Sequence, residues 1–168
     1  MKHSILYLVG FMGAGKTSVG RCLAELLGWR FVDLDAEIEA REGTSVRELF
    51  RTKGEPYFRE VEREELQRCS SQRGVVMALG GGAFCSDENR RIIESTGTSV
   101  WLDAPIDLLY SRCEGDAPSR PLFSTRAEME ALLERRRPLY AKADLRIETC
   151  NLTVDDLTQK ILQELKNF

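Results

Sequence analysis

Residues Gly10 to Thr17 read GFMGAGKT, which fits G-x-x-x-x-G-K-[ST] with Gly10, Gly15, Lys16 and Thr17 at the defining positions. The chemistry of that spacing is a phosphate cradle. Glycine lets the chain leave a strand, turn tightly and bring its N–H groups close around a phosphate. The following helix adds the positive end of its dipole. Lys16 can reach the β- and γ-phosphates, and the Thr17 hydroxyl can ligate Mg²⁺. Gly10, Met12, Gly13, Ala14, Gly15, Lys16, Thr17 and Ser18 are the expected nucleotide contacts. The bland alternative is a glycine-rich turn with an incidental lysine. An apolar strand (ILYLV) before the motif and helical periodicity after it are the context a cradle requires.

Residues able to receive a phosphoryl group should follow other strands, because ligands sit beyond the C-terminal ends of parallel strands. VDLD places Asp33 and Asp35 at the end of a second strand, where alternate positions of an extended segment point the same way. One acid could hold Mg²⁺ and the other could accept a proton from a hydroxyl. A helix N-cap plus a first-turn acid is the competing reading. GEPYFREVE puts Arg59 and Glu62 on one helix face beside Phe58, and an exposed ion pair would account for the pair equally well. LGGGA carries Gly80, Gly81 and Gly82 after a buried strand. Three glycines are costly in chain entropy, and they would let a ligand lie flat on backbone amides. Two arginine sites follow. SRPLF places Arg120 in a loop able to close over a γ-phosphate, and RRRPLY gathers three cations at a helix end, where the dipole favours them in any case.

These groups need elements to position them. Apolar runs predict strands over Ser4–Val9, Arg30–Asp33, Gly74–Leu79, Thr98–Leu102 and Leu145–Glu148. Between them, 3.6-residue periodicity predicts helices over Lys16–Leu27 (stopped by Gly28), Ala36–Arg41, Ser45–Phe50, Gly54–Ser70, Asp87–Ser95, Ile106–Glu114 and Glu128–Tyr140, with a last helix over Thr153–Lys166. Ser45 with Glu48 resembles a capping box. Alternation of this kind implies an α/β fold: a five-stranded parallel sheet with helices on both faces. One domain over residues 1–168 is expected, with substrate-binding helices at about 34–62 and a mobile lid at about 115–125.

Totals exclude several classes. The 168 residues carry a net charge of −3, so no polyanion-binding character shows. The five cysteines are odd in number, far apart and without CxxC spacing, which fits reduced thiols in a cytoplasm. His3 is the only histidine, so no Ser-His-Asp chemistry can assemble away from the N-terminus. No apolar stretch is long enough to span a membrane. The opening MKHSILYLVGFMGAG loosely imitates a secretory leader, but its apolar run is short and ends in the cradle motif.

GFMGAGKT, VDLD, GEPYFREVE, LGGGA, SRPLF and RRPLYAKA, in this order from Gly10 to Ala143, resemble the shikimate kinase family in the nucleoside-monophosphate-kinase branch of P-loop proteins. The resemblance implies phosphorylation of the 3-hydroxyl of shikimate by Mg-ATP, on the way to chorismate and aromatic amino acids. It implies that Lys16 contacts phosphates, that Thr17 and Asp33 serve the metal, and that Asp35 is the base. Arg59 and Arg136 would clamp a carboxylate, with Glu62 holding Arg59. Gly80, Gly81 and Gly82 would meet ring hydroxyls, and Phe50, Phe58 and Pro121 would flank the ring. Arg120 would bridge the phosphates from the lid, and Arg112 is the nearest candidate to stack on adenine. Shikimate and ATP are the expected small-molecule partners of a cytoplasmic monomer that binds neither nucleic acid nor membrane. Two rivals remain: a gluconate or nucleotide kinase of the same branch, and a non-catalytic nucleotide-binding module.

Overall fold

The computed structural model describes residues 5–114 and 125–167. Five strands, β1 (Ile5–Val9), β2 (Arg30–Asp33), β3 (Val75–Ala78), β4 (Thr98–Asp103) and β5 (Leu145–Glu148), form one sheet in the order β2-β3-β1-β4-β5. Every neighbouring pair is parallel. All residues of β1 and β3 are buried, so both faces of the sheet are covered, as continuous apolar strands such as ILYLV and VVMA require. Each fully buried Leu or Val there contributes about 1.5–3 kcal/mol.

The crossovers are helical: α1 (Lys16–Leu27), α2 (Leu34–Glu42), α3 (Val46–Cys69), α4 (Asp87–Thr96), α5 (Ile106–Glu114), α6 (Arg126–Tyr140) and α7 (Val154–Asn167). Gly28, at φ 66°, ends α1 by donating its N–H to the Ala24 and Glu25 carbonyls. Ser45 Oγ accepts from Glu48 N at the start of α3, but the Glu48 carboxylate turns to Arg51, so that capping box is half made. A complete box opens α6, between Thr125 and Glu128. The two helices expected over Ser45–Phe50 and Gly54–Ser70 are both present as the two arms of α3, separated by non-helical backbone at Gly54, whose φ of 82° only glycine adopts readily. No helix among the described residues is long and apolar enough to cross a membrane.

Strand order decides where the loops meet. The chain leaves β1 toward β2 and β3 on one side and later returns to β4 on the other. The loops after β1 and β3 therefore emerge side by side at the C-terminal edge, where a crevice opens. Leu79 N bonds the Leu8 carbonyl at 3.1 Å and holds that edge together.

Candidate active site

After β1 the backbone turns through Gly10 (φ 143°), Gly13 (φ 79°) and Gly15 (φ 90°) before α1 begins at Lys16. Space excludes side chains as firmly as dihedral angle does. A Cβ at Gly10 would lie 2.7 Å from the Leu102 carbonyl oxygen, and one at Gly13 would lie 3.1 Å from Cys113 Sγ. Lys16 Nζ arches back to the carbonyls of Gly10 (2.8 Å) and Phe11 (2.9 Å), which sets its charge over the mouth of the loop. Thr17 Oγ1 donates to Asp33 Oδ2 at 3.1 Å, pairing a hydroxyl with a carboxylate at the foot of the cradle. Both are hard oxygen donors of the kind Mg²⁺ takes. Arg112, near the end of α5, donates to the Gly13 carbonyl at 3.0 Å and so lies against the same loop.

The acceptor side is built differently from the extended DxD expected of VDLD. Asp33 is the N-cap of α2, its Oδ1 accepting from Asp35 N and Ala36 N, and Asp35 lies in the first helical turn. The cap reading holds, and from that first turn Asp35 lines the crevice together with Asp33. Arg59 and Glu62 are not an exposed pair either. Glu62 is 1% exposed and accepts two bonds from Arg59 Nη1, at 2.9 and 3.1 Å, while Glu55 takes Nε and Nη2 from outside. The Phe50 and Phe58 rings, 4.5 Å apart across the α3 kink, lie under the Arg59 guanidinium.

The three glycines after β3 have a reason that was not evident in sequence. None of Gly80, Gly81 and Gly82 adopts a left-handed φ. A Cβ at Gly80 would fall 2.7 Å from Asp35 Oδ1, one at Gly81 3.1 Å from Arg136 Nη1, and one at Gly82 2.5 Å from Arg59 Nη2. Each glycine makes room for one charged side chain from a different helix. Asp35 Oδ1 and Arg136 Nη1 are buried there with no hydrogen-bond partner among the described residues.

Burial sets the electrostatics. Desolvation, reinforced by neighbouring Asp33, pushes the Asp35 carboxyl up to about 6, with Lys16 pulling the other way. Desolvation also lifts Glu62 to about 7, against the opposing pull of Arg59.

Cradle and acceptor groups share one cavity of about 1000 Å³ that runs from Phe50 and Val46 past Lys16 to Arg112. Met12 to Ser18, Asp33, Asp35, Phe50, Phe58, Arg59, Glu62, Gly80 to Gly82, Arg112 and Arg136 all line it. Gly10, beneath the cradle, is buried and does not. Arg120, Pro121 and all but the last residue of the expected lid lie outside the described residues. Sequence reasoning missed the far wall, Leu152, Thr153, Val154 and Leu157. They follow the C-terminal end of β5, and extending the strand-end rule to the last strand would have found them. It also missed Asn89 and Arg90, whose buried side chains bond the Ala83 and Phe84 carbonyls just after the glycine turn. The remaining acid–thiol cluster, Glu37, Glu65 and Cys69, has its carboxylates bound by Arg41 and Arg68.

A phosphate cradle at the end of β1, opening into a pocket at the switch point of a parallel sheet, defines the class: a P-loop kinase of the nucleoside-monophosphate-kinase-like kind. The shikimate kinase family model matches residues 12–166, and the chain belongs to that family, whose members are ATP-dependent kinases. A shikimate kinase of Persephonella marina is 42% identical over 161 residues, covering 96% of this chain and 98% of its own. One from Bordetella avium is 43% identical, covering 97% and 79%. A solved shikimate kinase from Acinetobacter baumannii, in complex with shikimate, superposes with a TM-score of 0.94 at 40% identity, over 99% of this chain and 94% of that one. A gluconokinase from Sinorhizobium meliloti, at 19% identity and a TM-score of 0.62, shares the fold alone.

Proposed function

We propose that this chain transfers the γ-phosphoryl group of ATP to the 3-hydroxyl of shikimate, in the pathway to chorismate and the aromatic amino acids. The observation that carries the reading is the triple overlay of Asp35, Arg136 and Arg59 on Gly80, Gly81 and Gly82, with two buried polar atoms unpaired and facing the cavity. A small polyol with one carboxylate needs this set. Two guanidiniums, Arg59 and Arg136, take the carboxylate, and backbone amides and an acid take the hydroxyls. Glu62 keeps Arg59 in register, and Phe50 and Phe58 give the ring an apolar bed.

Asp35 accepts the proton of the attacking hydroxyl. With its carboxyl lifted to about 6 it is a stronger base than an ordinary aspartate and is still ionised at neutral pH. Lys16 leaves the Gly10 and Phe11 carbonyls for the phosphates, and the cradle amides hold them in line. Arg120 supplies a further cation to the transferred group. Arg112 and the Leu152–Val154 segment, on the far wall, hold the adenine. Thr17 and Asp33 would hold Mg²⁺, which when bound neutralises charge on the phosphates. Five free cysteines suit a reducing cytoplasm.

The test is ADP release with ATP and Mg²⁺, comparing shikimate with gluconate. Turnover on shikimate is expected. Turnover on gluconate alone would transfer the chain to the rival kinase, and ATP binding without turnover on either would make it a binding module.

A further inference from the structure

Tyr140 ends α6 one turn beyond Arg136 and is completely buried. Its hydroxyl donates to the Gly81 carbonyl at 2.5 Å and also faces the Arg136 guanidinium. Its ring packs against Trp101 of β4, with 6.0 Å between centroids, so the hydroxyl has little freedom to wander. A methyl group on Gly81 would lie 3.8 Å from that hydroxyl, 3.1 Å from Arg136 Nη1 and 3.7 Å from the Met12 amide nitrogen of the cradle. One hydroxyl therefore stands where the α6 clamp, the glycine turn and the phosphate loop meet.

A trans peptide is planar, so a carbonyl and the N–H that follows it point in opposite directions. Drawing the Gly81 carbonyl toward Tyr140 turns the Gly82 N–H away from Tyr140. The far end of the same turn is pinned from α4 by Asn89, at 2.9 Å from the Ala83 carbonyl, and by Arg90, at 2.8 Å from that of Phe84. The turn also closes on itself, Ala83 N bonding the Gly80 carbonyl and Cys85 N that of Gly82, both at 3.0 Å. Cys85 Sγ reaches the Gly81 carbonyl only at 4.0 Å, so Tyr140 supplies the short side-chain bond to the central peptide.

We propose that Tyr140 is a positioning residue of the acceptor site: its hydroxyl orients the Gly81–Gly82 peptide beside the Arg136 guanidinium, so that an acceptor carboxylate meets both in fixed register. Tyr140 touches neither the acceptor nor the reacting atoms. Its buried phenol holds its proton more tightly than a free one, chiefly through desolvation, which suits a structural donor and not an acid or base. The inference rests on the shikimate reading above.

Tyr140→Phe keeps the ring against Trp101 and removes only the donor. Its KM for shikimate is expected to rise roughly tenfold, the loss of about one buried hydrogen bond, while KM for ATP stays within about twofold. Tyr7→Phe is the control. Tyr7 is also fully buried, and its hydroxyl bonds Ser70 and Thr96 away from the cavity. It should lower the melting temperature without moving KM for shikimate. An unchanged KM for shikimate in Tyr140→Phe, a parallel change for ATP, or the same rise in Tyr7→Phe would each overturn the proposal. In the unsubstituted chain, shikimate should shift the Gly82 amide proton resonance, and an unmoved resonance overturns the proposal even if Tyr140→Phe fails to fold. Absence of ADP release by the unsubstituted chain with shikimate sinks the functional reading and this inference together. Normal turnover there with an unaltered Tyr140→Phe sinks this inference alone.

Discussion

Asp35 is held in a state that stability alone would not choose. Its Oδ1 is buried without a partner, and desolvation with Asp33 alongside makes its charge costly. Such costs are found where a charge does chemistry. Asp35→Asn keeps the shape and removes both the cost and the proposed base. Turnover is expected to fall by about 10²–10⁴-fold with ATP affinity by calorimetry unchanged. The melting temperature at pH 8 should rise, by on the order of 2–4 °C for each kcal/mol relieved. Near-normal turnover in that variant would remove Asp35 as the base. Arg59 is the complementary case: its partner Glu62 is almost wholly buried, so it is an arranged cation and not a drifting surface arginine.

At the scale of elements, the site is an agreement between one tight turn and three helices. α2 presents Asp35, α3 presents Arg59 and α6 presents Arg136, each above its own glycine. The break in α3 at Gly54 brings its two helical arms together, one supplying Phe50 and the other Phe58 with Arg59. Since the turn is shaped by what lies over it, the smallest added group is informative. Gly82→Ala would place a methyl within 2.5–2.9 Å of three Arg59 guanidinium atoms, and the guanidinium must move. KM for shikimate should increase at least tenfold, about 1.4 kcal/mol, with KM for ATP unaltered. A Gly82→Ala enzyme with unchanged kinetics would show that Arg59 does not bind the acceptor from this position.

Across the whole molecule, two buried carboxyls give the pH dependence of stability an unusual sign. Folding raises Asp35 from 3.8 to about 6 and Glu62 from 4.5 to about 7. Between the ordinary and raised values the folded chain holds more protons than the unfolded one, so their contribution is present in full below about pH 4 and is lost as pH rises through 6 to 7. Thermal or urea unfolding from pH 5 to 8 should therefore show a component that weakens with rising pH, and Asp35→Asn should flatten it. Identical slopes in the two proteins would mean that Asp35 is not buried as described. Activity is expected to run the opposite way over the same range, because the proposed base Asp35 must be ionised: kcat/KM should fall on the acid side of about pH 6.

Local pattern was enough for the five strands, the cradle and the acid and arginine groups that share the cavity, because strand and helix periods, glycine stops and motif spacing act over a few neighbouring residues. Three expectations drawn from such short range gave way for one reason. The extended VDLD became a cap and a first turn, the exposed-pair alternative for Arg59 and Glu62 gave way to a buried carboxylate, and the LGGGA glycines, read only as a bed for a ligand, proved also to be spaces for side chains. Desolvation and steric exclusion depend on which elements are packed together, and only the sheet order β2-β3-β1-β4-β5 brings residues 33–35, 59–62, 80–82 and 136–140 to one edge. Tyr140 sits inside the RRPLYAKA motif, but nothing local in that motif states its partner, and the Leu152–Val154 wall carries no signature of its own. Their place was decided by tertiary contact, through a hydroxyl that finds a carbonyl 59 residues away and a loop that lines the same cavity as Arg112.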